Sequence, residues 1–250
     1  MKTQIKTLNN LSWCIGIALA IVGSLLAESA SAALITVNNA GFDDESLVDN
    51  AATAGAPAGW ATDDKSGNWI AAWNPLGTDF TGATGDGTPE GGNGANVAAI
   101  DIGAAAGDGL LYWRSDPTTG SKLEAGTYTL TVALGIDAPE AIKPAKYTLF
   151  FGSDNKWDLA SVSGLGTNLP RGSLEDHSCS VTIAGDNAHL GETLVVAIQA
   201  FYVEGGSANW VLVDKVRLDF VAEPIPEPGT LVLMASGLLG LFAYDWRKRK

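Results

Sequence analysis

The middle of this chain reads as all-β, a jelly-roll or related β-sandwich, on three observations. Residues 127–134 alternate strictly, with Tyr128, Leu130, Val132 and Leu134 on one face and Thr127, Thr129, Thr131 and Ala133 on the other; such alternation marks a half-buried strand. Eight further runs have strand character: Ala33–Val37, Trp69–Trp73, Asn96–Ile102, Leu110–Arg114, Lys146–Phe151, Ser178–Ile183, Leu194–Tyr202 and Trp210–Phe220. Clusters of Gly, Asp, Asn and Pro separate these runs, and no long stretch between them carries a helical period. Short strands punctuated in this way build sandwiches and jelly rolls, and about 190 residues are enough for one core without disulfides.

Taken in order, the chain opens with Lys2 and Lys6, an apolar stretch from Leu11 to Ala27, and the small-residue run Ser29-Ala30-Ser31-Ala32-Ala33. That is the layout of a secretory signal peptide, residues 1–32, with cleavage after Ala32. Cys14 sits early in the apolar stretch, away from the small residues, and is not read as a lipidation site. The sandwich occupies residues 33–220, and the stretch from Gly82 to Gly94, six glycines in thirteen residues, reads as a surface loop. Residues 221–229 carry three prolines and no apolar periodicity, so they form an extended tether. Residues 230–246 are expected to form a transmembrane segment, and residues 247–250 a basic cytoplasmic tail. The apolar run Thr230–Tyr244 spans about 22 Å as a helix, short of the hydrocarbon core of about 30 Å. Its length suits a temporary hold better than a lasting anchor.

Between residues 33 and 224 nine cations face twenty-five acids, a net charge of −16. Such a surface repels nucleic acid and anionic lipid and favours solubility or divalent cations. Cys179 is the only cysteine of the exported region, so no intrachain disulfide forms there, and it reads as a small buried hydrophobe. His177 and His189 are the only histidines; with one thiol they are too few for a dedicated zinc site, and both read as loop residues. No Gly-x-Ser-x-Gly elbow and no compact pair of strand carboxylates occurs. The exported domain is therefore read as non-catalytic.

Two sets of residues stand out as candidate sites. Asp214 lies in the closing strand, where a period of two places it with Trp210, Leu212, Val216, Leu218 and Phe220 on the more apolar face. A carboxylate facing a core has to be hydrogen-bonded, paired or metal-bound. Six tryptophans fall in the exported region. Trp60, after Pro57-Ala58-Gly59, and Trp157, after Asp154-Asn155-Lys156, are placed in loops where an indole face could stack on a sugar ring, while Trp113 and Trp210 are assigned to the core.

The tail, Pro226-Glu227-Pro228-Gly229, the apolar run and the block Arg247-Lys248-Arg249-Lys250, resembles the PEP-CTERM signal of bacterial surface proteins. The resemblance implies an exosortase as processing partner, the inner membrane as a temporary location, and the cell surface or extracellular space as the destination. Four further stretches, Val37–Asp43, Gly94–Ile100, Leu123–Leu130 and Trp210–Leu218, resemble galactose-binding-like jelly-roll modules, which include many carbohydrate-binding modules. That resemblance implies a polysaccharide or glycan partner and a structural Ca²⁺ held by Asp43 and Asp214, the alternative for Asp214 being a hydrogen-bonded carboxylate. The leading reading is thus an exported, exosortase-processed surface or matrix protein with a carbohydrate-binding domain. A secreted glycan-active hydrolase and a permanently membrane-anchored surface protein are the alternatives.

Overall fold

The computed structural model describes residues 32–64, 69–76, 79–80, 94–101, 108–136, 145–165, 169–202, 210–223 and 230–248. The signal peptide except Ala32, the glycine-rich stretch except Gly94, and Pro226, Glu227, Pro228 and Arg249 lie outside these residues. Ser31–Ala222 make one compact unit, and the helix described below belongs to another.

The unit is a sandwich of two antiparallel sheets built from eleven described strands: β1 (Ala33–Ile35), β2 (Ala61–Asp64), β3 (Ile70–Trp73), β4 (Val97–Asp101), β5 (Asp108–Arg114), β6 (Gly126–Ile136), β7 (Ala145–Ser153), β8 (Lys156–Leu165), β9 (Ser173–Ile183), β10 (Leu194–Tyr202) and β11 (Trp210–Ala222). The six-stranded sheet runs β3-β4-β11-β6-β9, with β1 also on β11; the five-stranded sheet runs β2-β5-β10-β7-β8. β11 is the spine of the larger sheet: β6 pairs along most of one edge, while β4 and β1 share the other. Residues 50–53 close the outer edge of β3 through Thr53 N–H to Ala72 O, 2.9 Å, and Asn74 N–H to Ala51 O, 2.9 Å, removing an open edge that would invite pairing with another chain.

β6 behaves as its alternation predicts. Tyr128, Leu130, Val132, Leu134 and Ile136 are buried between the sheets, whereas Thr127, Thr129 and Thr131 face outward. Opposite them, Trp113 and Leu111 from β5, Leu149 and Phe151 from β7, and Val196 and Ile198 from β10 fill the same core. Tyr128 lies between Phe151 and Phe220 with ring centroids at 4.7 and 4.6 Å. Burying each such side chain stabilises the fold by about 1.5–3 kcal/mol. Cys179 is buried in this core, and burial pushes its thiol up to about 11, so it remains an unreactive thiol.

Three features depart from the sequence expectations. β2 and β8 were not anticipated, because Ala61–Asp64 is short and acidic and Lys156–Leu165 is broken by Ser161, Ser163 and Gly164. β9 begins at Ser173 rather than Ser178, so His177 is a strand residue; His189 does lie in a turn. Most consequential, β11 does not keep a single period of two. Its register against β6 shifts between Asp214 and Arg217, and Lys215 has a φ of 50°, so the strand carries a β-bulge that swaps its faces. Val211 and Val213 before the bulge and Val216 and Leu218 after it all enter the inter-sheet core. Asp214 is thereby separated from Val216 and Leu218 and placed with Trp210 and Leu212 on the outer face. The bulge is held by Val216 N–H donating to Ala40 O at 2.9 Å.

In the other unit, α1 (Thr230–Lys248) ends with Arg247 and Lys248 in its last turn, where cations complement the helix dipole. Leu238, Leu239, Leu241, Tyr244 and Trp246 are all exposed. Among the described residues no helix is long and apolar enough to cross a membrane. Residues 230–246, expected as a transmembrane segment, lie within this nineteen-residue helix, whose C-terminal turns carry Asp245, Arg247 and Lys248.

Candidate functional site

The outer face of the six-stranded sheet gathers residues far apart in sequence. The register aligns Trp210 with Asp101, Leu212 with Ala99 and Gly135, and Asp214 with Ala133. Trp73, Val97, Ala99, Ala133, Leu174, Leu212 and Phe80 form a second apolar cluster here, with Trp69 and Trp210 packed on it. The Trp210 ring meets Trp69 and Trp73 at 5.1 Å each, the latter edge-on at 87°. On the same face Asp214 has 0% of its surface exposed, and its Oδ1 accepts from Lys215 N–H at 2.6 Å. Farther along the same face Arg217 donates to Asp176. Sequence reasoning singled out Asp214 but assigned Trp210 to the core; nothing in a linear pattern brings Trp69, Trp73 and Trp210 together.

The five-stranded sheet presents a different aromatic surface. Trp157, at the start of β8, packs on Tyr112 of β5 with centroids 5.1 Å apart, reaching across the sheet from the β7–β8 hairpin. The Arg114 guanidinium lies 5.2 Å from the Tyr112 ring and 5.3 Å from the Trp157 ring, and pairs with Asp154 at 3.3 Å. Tyr112 and Trp157 are half-buried, and Arg114 and Asp154 are exposed. A stacked guanidinium braces both rings and leaves a surface with apolar faces beside donors and acceptors. Trp157 is thus a strand residue that still offers its indole.

Trp60 does not. It is 7% exposed, its ring lies 5.1 Å from Phe42, and its indole N–H donates to Asn39 O at 3.1 Å. The residue closes the core beneath the loop 38–45, where Asn39 and Phe42 hold left-handed backbone at φ 48° and 58°. Its proposed ligand-binding role is corrected to a packing role.

Asp43 belongs to the same loop. Its Oδ1 accepts from Ala95 N–H at 2.9 Å and Asn96 N–H at 3.0 Å, and the Asn96 amide donates to Phe42 O at 3.1 Å and Glu45 O at 2.8 Å. A Cβ on Gly94 would come within 1.7 Å of Asp43 Oδ2, so Gly94 is required for this latch. Asp43 and Asp214 are each engaged by backbone amides, and among the described residues no three His, Cys, Asp or Glu side chains gather as a metal site. Of the sorting residues, Arg247 and Lys248 are exposed at the end of α1.

Comparison with known proteins places both parts of the chain. The model of the HpiC1-like family, described as HpiC1 cyclase, matches residues 33–219. This chain belongs to the HpiC1-like cyclase family. The PEP-CTERM protein-sorting motif matches residues 224–249, so the family domain is joined to a signal for export and membrane-held sorting by an exosortase. The Stig cyclase Fisc of Fischerella sp. TAU, solved in complex with (3Z)-3-(1-methyl-2-pyrrolidinylidene)-3H-indole, is 21% identical with a TM-score of 0.59, over 77% of this chain and 100% of that one. A cyclase of Fischerella sp. in its apo form is also 21% identical, with a TM-score of 0.56, over 78% and 100%. These likenesses establish the sandwich fold. The CBM22-1 xylan-binding domain of Paenibacillus barcinonensis Xyn10C is 10% identical with a TM-score of 0.43 over 78% and 99%, too loose to carry an argument. No curated protein matches the chain.

Proposed function

We propose that this chain is an exported surface protein, processed by an exosortase, whose sandwich holds a glycan on the outer face of the five-stranded sheet without catalysis. The observation that carries the reading is the Trp157–Tyr112 pair braced by Arg114 and Asp154. Ring faces of this kind take the C–H face of a sugar, while the flanking guanidinium and carboxylate suit hydroxyl groups. The acidic surface and sorting tail fit a protein working outside the cell. Affinity electrophoresis of the full chain in gels containing xylan, β-glucan or the producing cell's own exopolysaccharide tests it: retardation lost in Trp157→Ala supports the reading, and no retardation in any gel sinks it. Mass spectrometry of the mature C-terminus tests processing, since an intact Lys250 on the mature protein is incompatible with it.

A second reading is favoured by Asp214. A carboxyl group held out of water on the sheet face that carries Trp73 and Trp210 is suited to passing a proton to a bound apolar aromatic substrate, and the family bears the name of a cyclase. Related Fischerella cyclases are recorded with indole ligands. Titration with 4-(1H-indol-3-yl)butan-2-one decides: saturable binding abolished by Trp210→Ala supports this reading, and no binding removes it.

A further inference from the structure

One open end of the sandwich, where β5 leaves its sheet, β6 enters and β11 finishes, holds a cavity of about 510 Å³. That is within the range of small-molecule sites, about 300–1,000 Å³. Trp113 lines it from the five-stranded sheet, Tyr128 and Phe220 from the six-stranded sheet, and Asp116, Lys122 and Glu124 from the loop between β5 and β6. It is distinct from both outer faces.

The loop is stiffly built. Ser115 Oγ donates to Ser121 O at 2.7 Å and accepts from Leu194 N–H at 3.1 Å. Asp116 Oδ1 accepts from the Thr118 hydroxyl at 2.6 Å, Thr119 N–H at 2.8 Å and Thr118 N–H at 2.6 Å, which holds this carboxyl well below the ordinary Asp range and keeps it ionised. Lys122 Nζ donates to Pro117 O at 2.7 Å. A Cβ on Gly120 would meet Asp116 N at 2.5 Å, so the turn also requires glycine.

Several polar groups of the lining remain unspent among the described residues. Trp113 is 3% exposed, and its indole N–H has no hydrogen-bond partner. Tyr128 is 1% exposed; its oxygen accepts from Glu124 N–H at 2.8 Å, and its own proton is unused. Asp116 Oδ2 takes no main-chain N–H, and the Glu124 carboxylate accepts nothing. Two buried donors and two carboxylates therefore sit around an aromatic floor. A cationic ligand would satisfy the carboxylates and leave both donors unpaired; an anion would do the reverse and be repelled. An apolar ligand would strand the two buried donors, at the usual cost of unmet buried polar groups. A neutral ring bearing hydroxyl groups, each both donor and acceptor, satisfies every one while its C–H face lies against the half-buried Phe220 ring.

We propose that this end cavity is a binding site for a single sugar residue, with Trp113 and Tyr128 as donors and Asp116 and Glu124 as acceptors. The site is independent of the Trp157 surface and extends the protein's ligand chemistry to a chain end or a monosaccharide. Isothermal titration of the full chain with methyl β-D-glucopyranoside, methyl β-D-galactopyranoside and methyl α-D-mannopyranoside, with choline as the cationic control, is the test. At least one hexoside is expected to bind saturably, with affinity weakened fivefold or more by Trp113→Phe, which keeps a ring and deletes the N–H, and by Glu124→Gln. Trp157→Ala leaves this binding unchanged, separating it from failure of the outer surface. Saturation by choline alone, absence of binding by all three hexosides, or undiminished affinity in Glu124→Gln overturns the proposal. Glu124 is exposed and its side chain has no partner among the described residues, so that variant folds even where Trp113→Phe does not.

Discussion

On the outer face of the six-stranded sheet, Trp69, Trp73 and Trp210 pack on one another above alanines and a glycine, beside a carboxylate with no exposed surface. On the outer face of the five-stranded sheet, Trp157 lies on Tyr112 under a guanidinium, and all the groups retain contact with water. The same residue types serve different ends because their neighbours differ. Small floor residues and a bulged strand let the first set close into an apolar cluster. A hairpin that carries Trp157 across Gly152 leaves the second set at the surface: a Cβ on Gly152 would meet Lys156 O at 2.1 Å. The first face is thus bound up with stability, and the second is free to change with little effect on the fold.

Substitutions can break that contrast, beginning with the largest effect. Trp210→Ala removes the ring joining Trp69 to Trp73 and is expected to cost about 3 kcal/mol or more in urea unfolding. Trp157→Ala is expected to cost about 1 kcal/mol or less while abolishing glycan retardation; equal losses in the two variants would erase the distinction. Next, Asp214→Ala leaves the Lys215 amide without its acceptor and is expected to cost about 2 kcal/mol, measured in the same experiment. Lys215→Gly relieves the left-handed backbone at the bulge and is expected to raise stability by up to about 1 kcal/mol. A loss there would mean that the bulge depends on the lysine side chain.

The smallest effect concerns pH. His177, on β9, bonds through Nδ1 to the Tyr147 hydroxyl of β7 at 2.9 Å, joining the two sheets at their edge. Burial pushes its imidazole below the ordinary value of 6.5, against the opposing pull of Glu175 and Asp176. The unfolded chain therefore takes up this proton at higher pH than the folded chain. Stability is full above about pH 6.5 and declines as the pH falls below it. His177→Gln is expected to flatten the melting temperature between pH 7 and 5; an unchanged slope would assign the dependence to other groups.

Much of this was legible in the linear sequence. Tyr128, Leu130, Val132 and Leu134 announce β6 because alternation is a local property, and eight other strands were marked by apolar runs set between turn residues. The candidate sites were legible only in part. Asp214 was conspicuous as a carboxylate in an apolar strand, yet its face was misassigned, because one residue in left-handed backbone reverses the parity that follows it. Trp60 and Trp157 both follow turn-like residues, and no local pattern distinguishes an indole that closes a core from one that lies on a sheet.

By itself the sequence determined the parts that act as linear chemistry. The sorting motif at residues 224–249 is recognised as a string, and the net charge and the inward sides of regular strands follow from composition and period. Tertiary structure decided what depends on through-space neighbours. It set the meeting of Trp69, Trp73 and Trp210 from the β3, β4 and β11 region, the bracing of Trp157 by Arg114, and the end cavity formed by Trp113, Tyr128 and Phe220. Each grouping draws on parts of the chain tens of positions apart, such as Trp73 and Trp210, Arg114 and Trp157, or Tyr128 and Phe220. Only the pairing of antiparallel strands, with register fixed by a bulge and by the burial of one face, brings them within reach.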